Sequence, residues 1–250
     1  MDRFDPRVHP GGGGEAALAG GKPAFVHRIF CEIAPRYELV SRLISLGQID
    51  LWRRELIRRA AIPPKARVLD VGTGTGAIAR AIARHHPDAE VTGCDVAEPM
   101  LAVARARNPE PRRIRFVHGD ALALPFPDHS FDVVTSAFLL RNVADLHRAL
   151  REQVRVARPG GRVACLDICP PGRGLAGALF YPYFFRLVPF LGRLLTPSRD
   201  AYRYLPSSTL SFPPPEALAE ALGEAGLTRV DYVRCTFGIV AVHVGEVAAG

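Results

Sequence analysis

The stretch that decides the fold is Val68-Leu69-Asp70-Val71-Gly72-Thr73-Gly74-Thr75-Gly76. The apolar residues around Asp70 predict a buried strand, and the three glycines after it allow a tight turn that a ligand can approach closely. A second predicted strand, Glu90–Asp95, ends in another acid about 20 residues further on, where a doubly wound sheet places a carboxylate that holds a ribose. Together these features indicate a nucleoside-binding site at one edge of an α/β sheet.

The spacing of the glycines separates two kinds of nucleoside site. Dinucleotide-binding sheets usually carry G-x-G-x-x-G, which brings a pyrophosphate to a helix N-terminus. This chain has G-x-G-x-G, and Asp70 precedes it, where a carboxylate would repel a pyrophosphate. A carboxylate instead favours a cation, such as the amino and sulfonium groups of S-adenosylmethionine. The run resembles motif I of the class I methyltransferases, although the glycines alone would also suit a purely structural turn.

Composition limits the other classes of protein. The chain is 48% hydrophobic and 23% charged, which predicts a folded domain with a large core. Its five cysteines form no C-x-x-C pair, so we expect reduced thiols, no disulfide framework and no metal site. No apolar signal segment stands at the N-terminus, which predicts a cytoplasmic protein. The net charge of +7 is almost all arginine without a basic block that alternates with aromatics, so we expect no nucleic-acid partner.

Strands alternate with helices along the middle of the chain, which predicts a parallel sheet with ligands at the carboxyl ends of its strands. The helix expected over 145–157 stops at Pro159-Gly160-Gly161. The further predicted strands lie at 115–118, 131–136, 162–167, 228–234 and 236–244, and the further helices at 78–84, 99–106 and 216–225.

We expect one domain over residues 24–250, preceded by a flexible tail over 1–23. Residues 24–62 are predicted to form a helical cap, and residues 173–210 an inserted lid. The apolar, aromatic stretch 175–195 is interrupted by prolines and arginines, so it does not read as a membrane span. It fits a helical lid or an interfacial segment with arginines at its polar edge, and equally an insertion that packs on the core.

Motifs along residues 24–245 resemble the C-methyltransferases of ubiquinone and menaquinone biosynthesis. The resemblance is carried by the entry segment 30–42, the run 119–132 (GDALALPFPDHSFD), Phe138-Leu139-Leu140-Arg141-Asn142-Val143, Tyr202-Arg203-Tyr204-Leu205-Pro206 and the final TFGIVAVH of residues 236–243.

This resemblance implies a Rossmann-like α/β fold, with a seven-stranded, mostly parallel sheet whose final strand is antiparallel. It implies S-adenosylmethionine as the cofactor and, as the reaction, methylation of a ring carbon of a reduced polyprenylated quinone precursor, with demethylmenaquinol as the first candidate. It also implies peripheral contact with the inner face of the membrane, and it leaves a homodimer open.

The family resemblance also implies which residues bind the cofactor. Asp95 is expected to bond the ribose hydroxyls, Asp120 to accept from the adenine amino group, and Met100 to pack on the adenine. A helix cap for Asp95 and a turn for Asp120 are the structural alternatives. The full predicted set is Asp70, Gly72, Thr73, Gly74, Thr75, Gly76, Asp95, Val96, Met100, Asp120, Ala121 and Ala137.

Carbon is a poor nucleophile, so the reaction needs a ring hydroxyl that is deprotonated to an electron-rich phenolate. Arg141 is expected to stabilise that phenolate, Asn142 to orient the ring, and Asp167 to act as a general base. A surface ion pair is the alternative for the arginine. The predicted substrate residues are Tyr37, Arg141, Tyr202 and Tyr204, and the tyrosines would wall the ring, relay a proton or simply pack in the lid.

The chain departs from the family pattern at several positions. Glu38 stands where an Asp is usual, Ala77 follows the glycines in place of an Asp, and Leu139 replaces a Gly. Two rival functions therefore stay open: methylation of another phenolic or isoprenoid small molecule, and a non-catalytic cofactor-binding scaffold in quinone synthesis. Nucleic-acid methyltransferases are excluded because Ser136-Ala137-Phe138 lacks the motifs of both their amino- and cytosine-methylating types.

Overall fold

One seven-stranded sheet carries the fold in the computed structural model, which describes residues 21–170, 182–184, 188, 204 and 208–249. The strands lie in the order β3-β2-β1-β4-β5-β7-β6. β7 runs antiparallel to both of its neighbours and the other pairs are parallel, which confirms the expected sheet. Their bounds are β1 Arg67–Val71, β2 Glu90–Asp95, β3 Ile114–His118, β4 Phe131–Ala137, β5 Ala157–Ile168, β6 Leu227–Cys235 and β7 Val240–Val247.

The described helices cover both faces of the sheet and one end of it. Short 3₁₀ turns lie at Ala34–Arg36, Leu140–Asn142 and Thr236–Gly238. No helix in the described ranges is long and apolar enough to cross a membrane. The helices are α1 Gly21–Ile33, α2 Tyr37–Ile44, α3 Gln48–Ala60, α4 Ala77–His85, α5 Glu98–Ala106, α6 Leu146–Val156 and α7 Pro215–Glu224.

One expected segment boundary differs from the structure, and one expected segment lies mostly outside the described residues. Helix α1 begins at Gly21, inside the segment 1–23 that was predicted to be a tail, so the cap starts earlier than expected. Most of the predicted lid over 173–210, including the aromatic stretch around residue 180, lies outside the described residues.

Alternate residues of β1 lie in different apolar clusters. Val68 packs with buried residues of α3 and α4, whereas Leu69 packs with buried residues of α6 and α7. Burial on both faces is what a parallel sheet requires, and it explains why the strand carries the near-continuous apolar run that the sequence showed.

The predicted end of the helix before β5 is confirmed to within one residue, but the predicted start of β5 at residue 162 was wrong. The helix ends at Val156, and the residues that were expected to stop it already belong to β5. Ala157 pairs with Phe131, and a Cβ on Gly161 would lie 2.8 Å from the Asp132 carbonyl oxygen. The glycine therefore lets β5 pass close to β4.

The last strand also begins later than predicted. Residues Thr236–Gly238 form a 3₁₀ turn in place of the strand expected over 236–244, and β7 starts at Val240. Phe237 has a left-handed backbone (φ 56°), which a strand cannot contain. This turn faces the cap helices, and it becomes part of the site described below.

Candidate functional site

The glycine loop leaves the carboxyl end of β1 and turns into α4. All three glycines have positive φ, at 66° for Gly72, 55° for Gly74 and 78° for Gly76. A Cβ on Gly72 would lie 2.8 Å from Leu139, and one on Gly76 would lie 2.7 Å from the Phe116 ring. A Cβ on Gly74 would have no atom within 4 Å. Two glycines are thus demanded by packing, and the middle one borders open space.

Asp70 is a buried acid directly beneath this loop. Its Oδ2 accepts a hydrogen bond from the Thr73 hydroxyl at 2.7 Å, and its Oδ1 accepts one from the Thr135 hydroxyl at 3.0 Å. Burial raises the pKa of Asp70 to about 7, although both hydroxyl bonds act to lower it. A cation placed beside the carboxylate would favour its charged form, so the residue is suited to a positively charged ligand.

Asp95 ties the end of β2 to the glycine loop. Its Oδ2 accepts from the Gly74 backbone N–H at 2.7 Å, and its Oδ1 accepts from the Ala97 N–H at 2.8 Å. Burial raises the pKa of Asp95, while these backbone bonds lower it. Asp95 is therefore not the helix cap considered as its structural alternative, because Ala97 holds the cap position of α5 and no side chain caps that helix. The carboxylate lies instead in a cavity wall. A carboxylate has about four lone-pair sites, so Asp95 can accept from a ligand hydroxyl beside these backbone bonds.

Asp120 lies beyond β3 and lines the same cavity as Asp95. Its Oδ1 accepts from the Leu122 N–H at 2.9 Å, so the expected turn bond is present. Met100 is fully buried and contributes its side chain to the same cavity.

A cavity of about 440 Å³, here called the strand-end cavity, connects these residues. Its volume is within the range of small-molecule sites. Gly76 lies behind the loop against Phe116 and is not among the described residues that line this cavity. The predicted cofactor residues that do line it are Asp70, Gly72, Thr73, Gly74, Thr75, Asp95, Val96, Met100, Asp120, Ala121 and Ala137.

A second cavity of about 810 Å³, here called the cap cavity, lies between the cap helices and the carboxyl end of β5. Most of its described lining is apolar or aromatic. It shares four lining residues with the strand-end cavity, so the two spaces meet there. These shared residues are Phe30, Tyr37, Phe138 and Asn142.

Arg141 brings a buried positive charge to the cap cavity. Its Nη1 donates to Asp167 Oδ1 at 2.6 Å and to the Phe138 carbonyl at 3.0 Å, and its backbone N–H donates to Asp167 Oδ2 at 3.2 Å. The pair is buried, in contrast to the surface ion pair considered as an alternative. Asp167 is not among the described residues that line either cavity.

Asn142 stands where the cavities meet. Its Nδ2 donates to the Phe138 carbonyl at 2.8 Å, and its buried Oδ1 has no hydrogen-bond partner within the described part of the chain. Tyr204 lines the cap cavity, and burial raises its pKa to about 12. Tyr202 lies outside the described residues.

The structure also gives roles to residues for which the sequence suggested none. Glu38 on α2 accepts from the Thr75 hydroxyl at 2.8 Å and from Arg80 at 2.7 Å, and it forms an ion pair with Arg107 at 3.2 Å. Burial raises the pKa of Glu38, but these bonds and charges prevail and lower it. The departure from Asp to Glu was the only signal at this position.

The C-terminal motif that carried part of the resemblance joins the cap. The Trp52 indole N–H donates to the Thr236 hydroxyl at 2.7 Å, and that hydroxyl contacts Gln48 Oε1 at 3.3 Å. All three residues line the cap cavity, as does Phe237. The family resemblance included this turn, but no chemistry in its residues indicated what it would line.

Comparison with known proteins identifies the family. The model of the ubiE/COQ5 methyltransferase family matches residues 18–247. The demethylmenaquinone methyltransferase of Thermus thermophilus is 49% identical over 220 residues, which cover 87% of this chain and 99% of the relative. The enzyme of the same name from Deinococcus radiodurans is 45% identical over 222 residues, covering 88% and 92%.

Solved structures agree on the fold. A possible histamine N-methyltransferase from Thermotoga maritima has a TM-score of 0.62 at 19% identity, covering 88% of this chain and 99% of that one. The Haemonchus contortus phosphoethanolamine N-methyltransferase 2 complex with S-adenosylmethionine has a TM-score of 0.58 at 16% identity, covering 78% and 52%. The chain therefore belongs to the ubiE/COQ5 methyltransferase family and is an S-adenosylmethionine-dependent methyltransferase.

Proposed function

We propose that this methyltransferase methylates a ring carbon of a reduced, polyprenylated quinone precursor, with demethylmenaquinol as the substrate. The observation that carries the proposal is the junction of the two cavities. A polar, acid-lined space meets a larger apolar one at Asn142, and Arg141 stands in the wall of the apolar space. A quinol head group with a prenyl tail needs an apolar space beside a charge-stabilising group, and the named relatives support this class of substrate.

The residues of the strand-end cavity fit the cofactor. S-adenosylmethionine supplies, when bound, a methyl group on a positively charged sulfur. Asp70 would face this cation, Asp95 would accept from ribose hydroxyls, and Asp120 would accept from the adenine amino group. The open space at Gly74 leaves room for a ligand against the loop.

Arg141 would stabilise negative charge on the ring oxygen. Its guanidinium is fixed by Asp167 and the Phe138 carbonyl before any substrate arrives. A charge held in position in a water-poor cavity stabilises a phenolate with little reorganisation, and it lowers the pKa of the ring hydroxyl.

Asp167 is better suited to positioning than to proton abstraction. Both of its oxygens accept hydrogen bonds from Arg141, and Oδ1 also accepts from the Ile168 N–H at 2.8 Å. We therefore propose it as a positioning residue for Arg141, in place of the general base that the resemblance suggested. Tyr204, whose pKa burial raises to about 12, would be a hydroxyl donor in the cavity wall.

Asn142 would orient the acceptor ring. Its Nδ2 is fixed on the Phe138 carbonyl, which leaves Oδ1 as a buried acceptor without a described partner. A buried acceptor is costly unless it is bonded, so a ring hydroxyl that donates to it would be favoured in one orientation. Tyr37 at the same junction would limit how the ring can tilt.

The prenyl tail also suggests where the enzyme works. Such a substrate resides in a bilayer, so we propose that the protein acts from the cytoplasm at the inner face of the membrane. A homodimer remains a prediction of the family resemblance.

The test is methyl transfer from labelled S-adenosylmethionine to chemically reduced demethylmenaquinone, with the oxidised quinone as the control. We expect transfer to the reduced form alone, since only that form provides a ring hydroxyl that can become a phenolate. Cofactor binding without transfer to either form would reject the quinol assignment. Transfer to other phenolic acceptors would then favour a different small-molecule substrate, and no transfer to any acceptor would favour the scaffold.

A further inference from the structure

The turn between α2 and α3 exposes an apolar stripe. Leu39 and Leu43 lie four residues apart on α2, and Leu46 lies in the turn that follows the helix. They are 59%, 44% and 77% exposed. Leu39 and Leu43 lie along one side of α2, while Val40 and Ile44 of the same helix line the cap cavity. Apolar surface therefore continues from the cavity wall to the outside of the molecule.

Two exposed apolar side chains, one from this turn and one from the Thr236–Gly238 turn, stand at the cavity itself. Leu46 and Phe237 both line the cap cavity, although Phe237 is 86% exposed. Both have left-handed backbones, with φ of 50° and 56°. Non-glycine residues adopt this conformation at a cost, so two bulky apolar residues held outward in it require explanation. We call Leu39, Leu43, Leu46 and Phe237 the cap rim.

The cap rim lies in a positively charged neighbourhood. Residues 36–59 carry six arginines against three acids. Arg54 and Arg58 are exposed on the same side of α3 as the exposed Leu51, since they follow it by three and seven residues. Arg58 also pairs with Glu55. Long arginine side chains beside apolar ones can keep their charge at lipid headgroups while the apolar groups insert.

We propose that the cap rim is the surface that docks this protein on an anionic lipid bilayer, with Leu46 and Phe237 at the opening through which a prenyl chain enters the cap cavity. This inference rests on the proposed function for the identity of the entering chain. It assigns the contact to α2, α3 and the Thr236–Gly238 turn. The aromatic stretch of residues 175–195, for which the sequence left an interfacial role open, is not part of this assignment. The surplus of positive charge favours anionic lipid over a second copy of the chain, because two such surfaces repel each other.

The experiment measures binding of the full chain to vesicles by co-sedimentation, without an acceptor substrate. Vesicles of phosphatidylcholine mixed with phosphatidylglycerol are compared with phosphatidylcholine alone. Leu39→Gln/Leu43→Gln is the main variant, because neither leucine is among the described residues that line the cavities. Phe237→Gln is the second variant. Leu210→Gln is the matched control, since Leu210 is 47% exposed and does not belong to the cap rim.

We expect wild-type protein to bind the mixed vesicles, with binding weakened by salt. The leucine double variant and Phe237→Gln should each bind about tenfold more weakly, and the Leu210 variant as wild type. Equal binding of the double variant and wild type, or no preference for phosphatidylglycerol, would overturn the proposal. The proposal would also be overturned if the wild type eluted as a dimer in gel filtration and the leucine variant as a monomer. The apolar stripe would then be a protein interface.

A second measurement separates this proposal from the proposed function. The leucine double variant should methylate a short-tailed, water-soluble quinol at the wild-type rate, while it loses activity on a long-tailed quinol in vesicles. Vesicle binding by a protein that methylates no quinol would leave the docking surface standing and reject the substrate. Methyl transfer to quinols without vesicle binding would support the substrate and reject the docking surface.

Discussion

Asp70 and Arg141 are two buried charged residues on which the proposed chemistry of the site depends. The sequence predicted both, one from its position before the glycines and the other from the motif that follows β4. It could not predict that Asp167, expected to be a base, contacts the guanidinium from a neighbouring strand. Spacing along the chain shows which residues end a strand, but it does not show which side chains then pair across the sheet.

Arg141 should be required for turnover and not for binding of the cofactor. Arg141→Gln is expected to lower kcat about a hundredfold, the usual effect of removing one charge-stabilising donor. Because Arg141 is not among the described residues of the strand-end cavity, the Kd of S-adenosylmethionine should stay within about twofold. Steady-state kinetics and calorimetric binding measure the two effects, and Arg162→Gln, which breaks the half-buried ion pair with Glu246, is the control.

The loss must be separated from a failure to fold. Arg141→Gln leaves Asp167 buried without its partner, which should cost about 3–5 kcal/mol of stability. Arg141→Gln/Asp167→Asn removes both charges and should recover most of that stability, while activity stays low. Recovery of activity in the double variant would show that the arginine is structural only.

Asp70 should make cofactor binding depend on pH. Its pKa of about 7 in the unliganded protein means that half of the molecules hold a proton there near neutral pH. A bound cation favours the ionised form and lowers this pKa, so binding below pH 7 must first remove a proton. The Kd of S-adenosylmethionine should therefore rise as pH falls below about 7, approaching tenfold per pH unit, and stay flat above it.

Calorimetric titrations at intervals of about half a pH unit, from about pH 5.5 to about pH 8.5, would measure this dependence. Asp70→Asn should bind more weakly and without the pH dependence. S-adenosylhomocysteine, which lacks the sulfonium charge, should show a smaller dependence. An equal slope for both ligands would mean that Asp70 does not respond to the sulfur charge.

The glycine loop shows what an element adds to its residues. The motif predicted a tight turn and a close ligand approach together, but the structure divides these tasks among the glycines. Gly72 and Gly76 lie against Leu139 and Phe116, and only Gly74 borders open space. A sequence motif cannot make this division, because it depends on which side chains from β3 and from the segment after β4 pack against the loop.

Substitution of two of these glycines should therefore have different effects. Gly76→Ala places a methyl group against the Phe116 ring and should lower stability by at least about 2 kcal/mol. Gly74→Ala meets no protein atom, so it should cost only about 1 kcal/mol for its left-handed backbone, yet weaken cofactor binding about tenfold or more. Thermal unfolding and cofactor titration of both variants measure this, and a reversed order would show that the loop packs differently.

The cap is tied to the glycine loop through Glu38. Its carboxylate on α2 accepts from Thr75, a cavity residue, and pairs with Arg80 and Arg107. We expect Glu38→Gln to raise the Kd of S-adenosylmethionine about five- to tenfold, because two charge-assisted contacts between cap and loop are weakened. Glu55→Gln is the matched control, since Glu55 pairs with Arg58 and Arg59 on α3 alone. An unchanged Kd for Glu38→Gln would mean that the contacts of Glu38 do not hold the glycine loop in its cofactor-binding conformation.

At the scale of the whole molecule, the fold was the most predictable feature. Apolar runs that end in Asp70 and Asp95 show where parallel strands finish, and ligands bind at that edge of such a sheet. The cap cavity was not predictable in the same way. It depends on contacts such as Trp52 with Thr236, between residues 184 positions apart, which leave no periodic pattern in the sequence.

We propose that the two cavities bind different reactants. The strand-end cavity would hold the methyl donor, the cap cavity the quinol and its tail, and the junction at Tyr37 and Asn142 would bring the reacting atoms together. The cap rim would place the opening of the cap cavity against the lipid bilayer.

A crystal structure with S-adenosylhomocysteine and a short-tailed demethylmenaquinol tests this central claim most directly. The account predicts the adenosyl group among Asp70, Asp95 and Asp120, with the quinol ring at the junction, one ring hydroxyl near Arg141 and its tail in the cap cavity. A ring bound outside the cap cavity, or one in that cavity with its hydroxyls turned away from Arg141 and Asn142, would contradict the account.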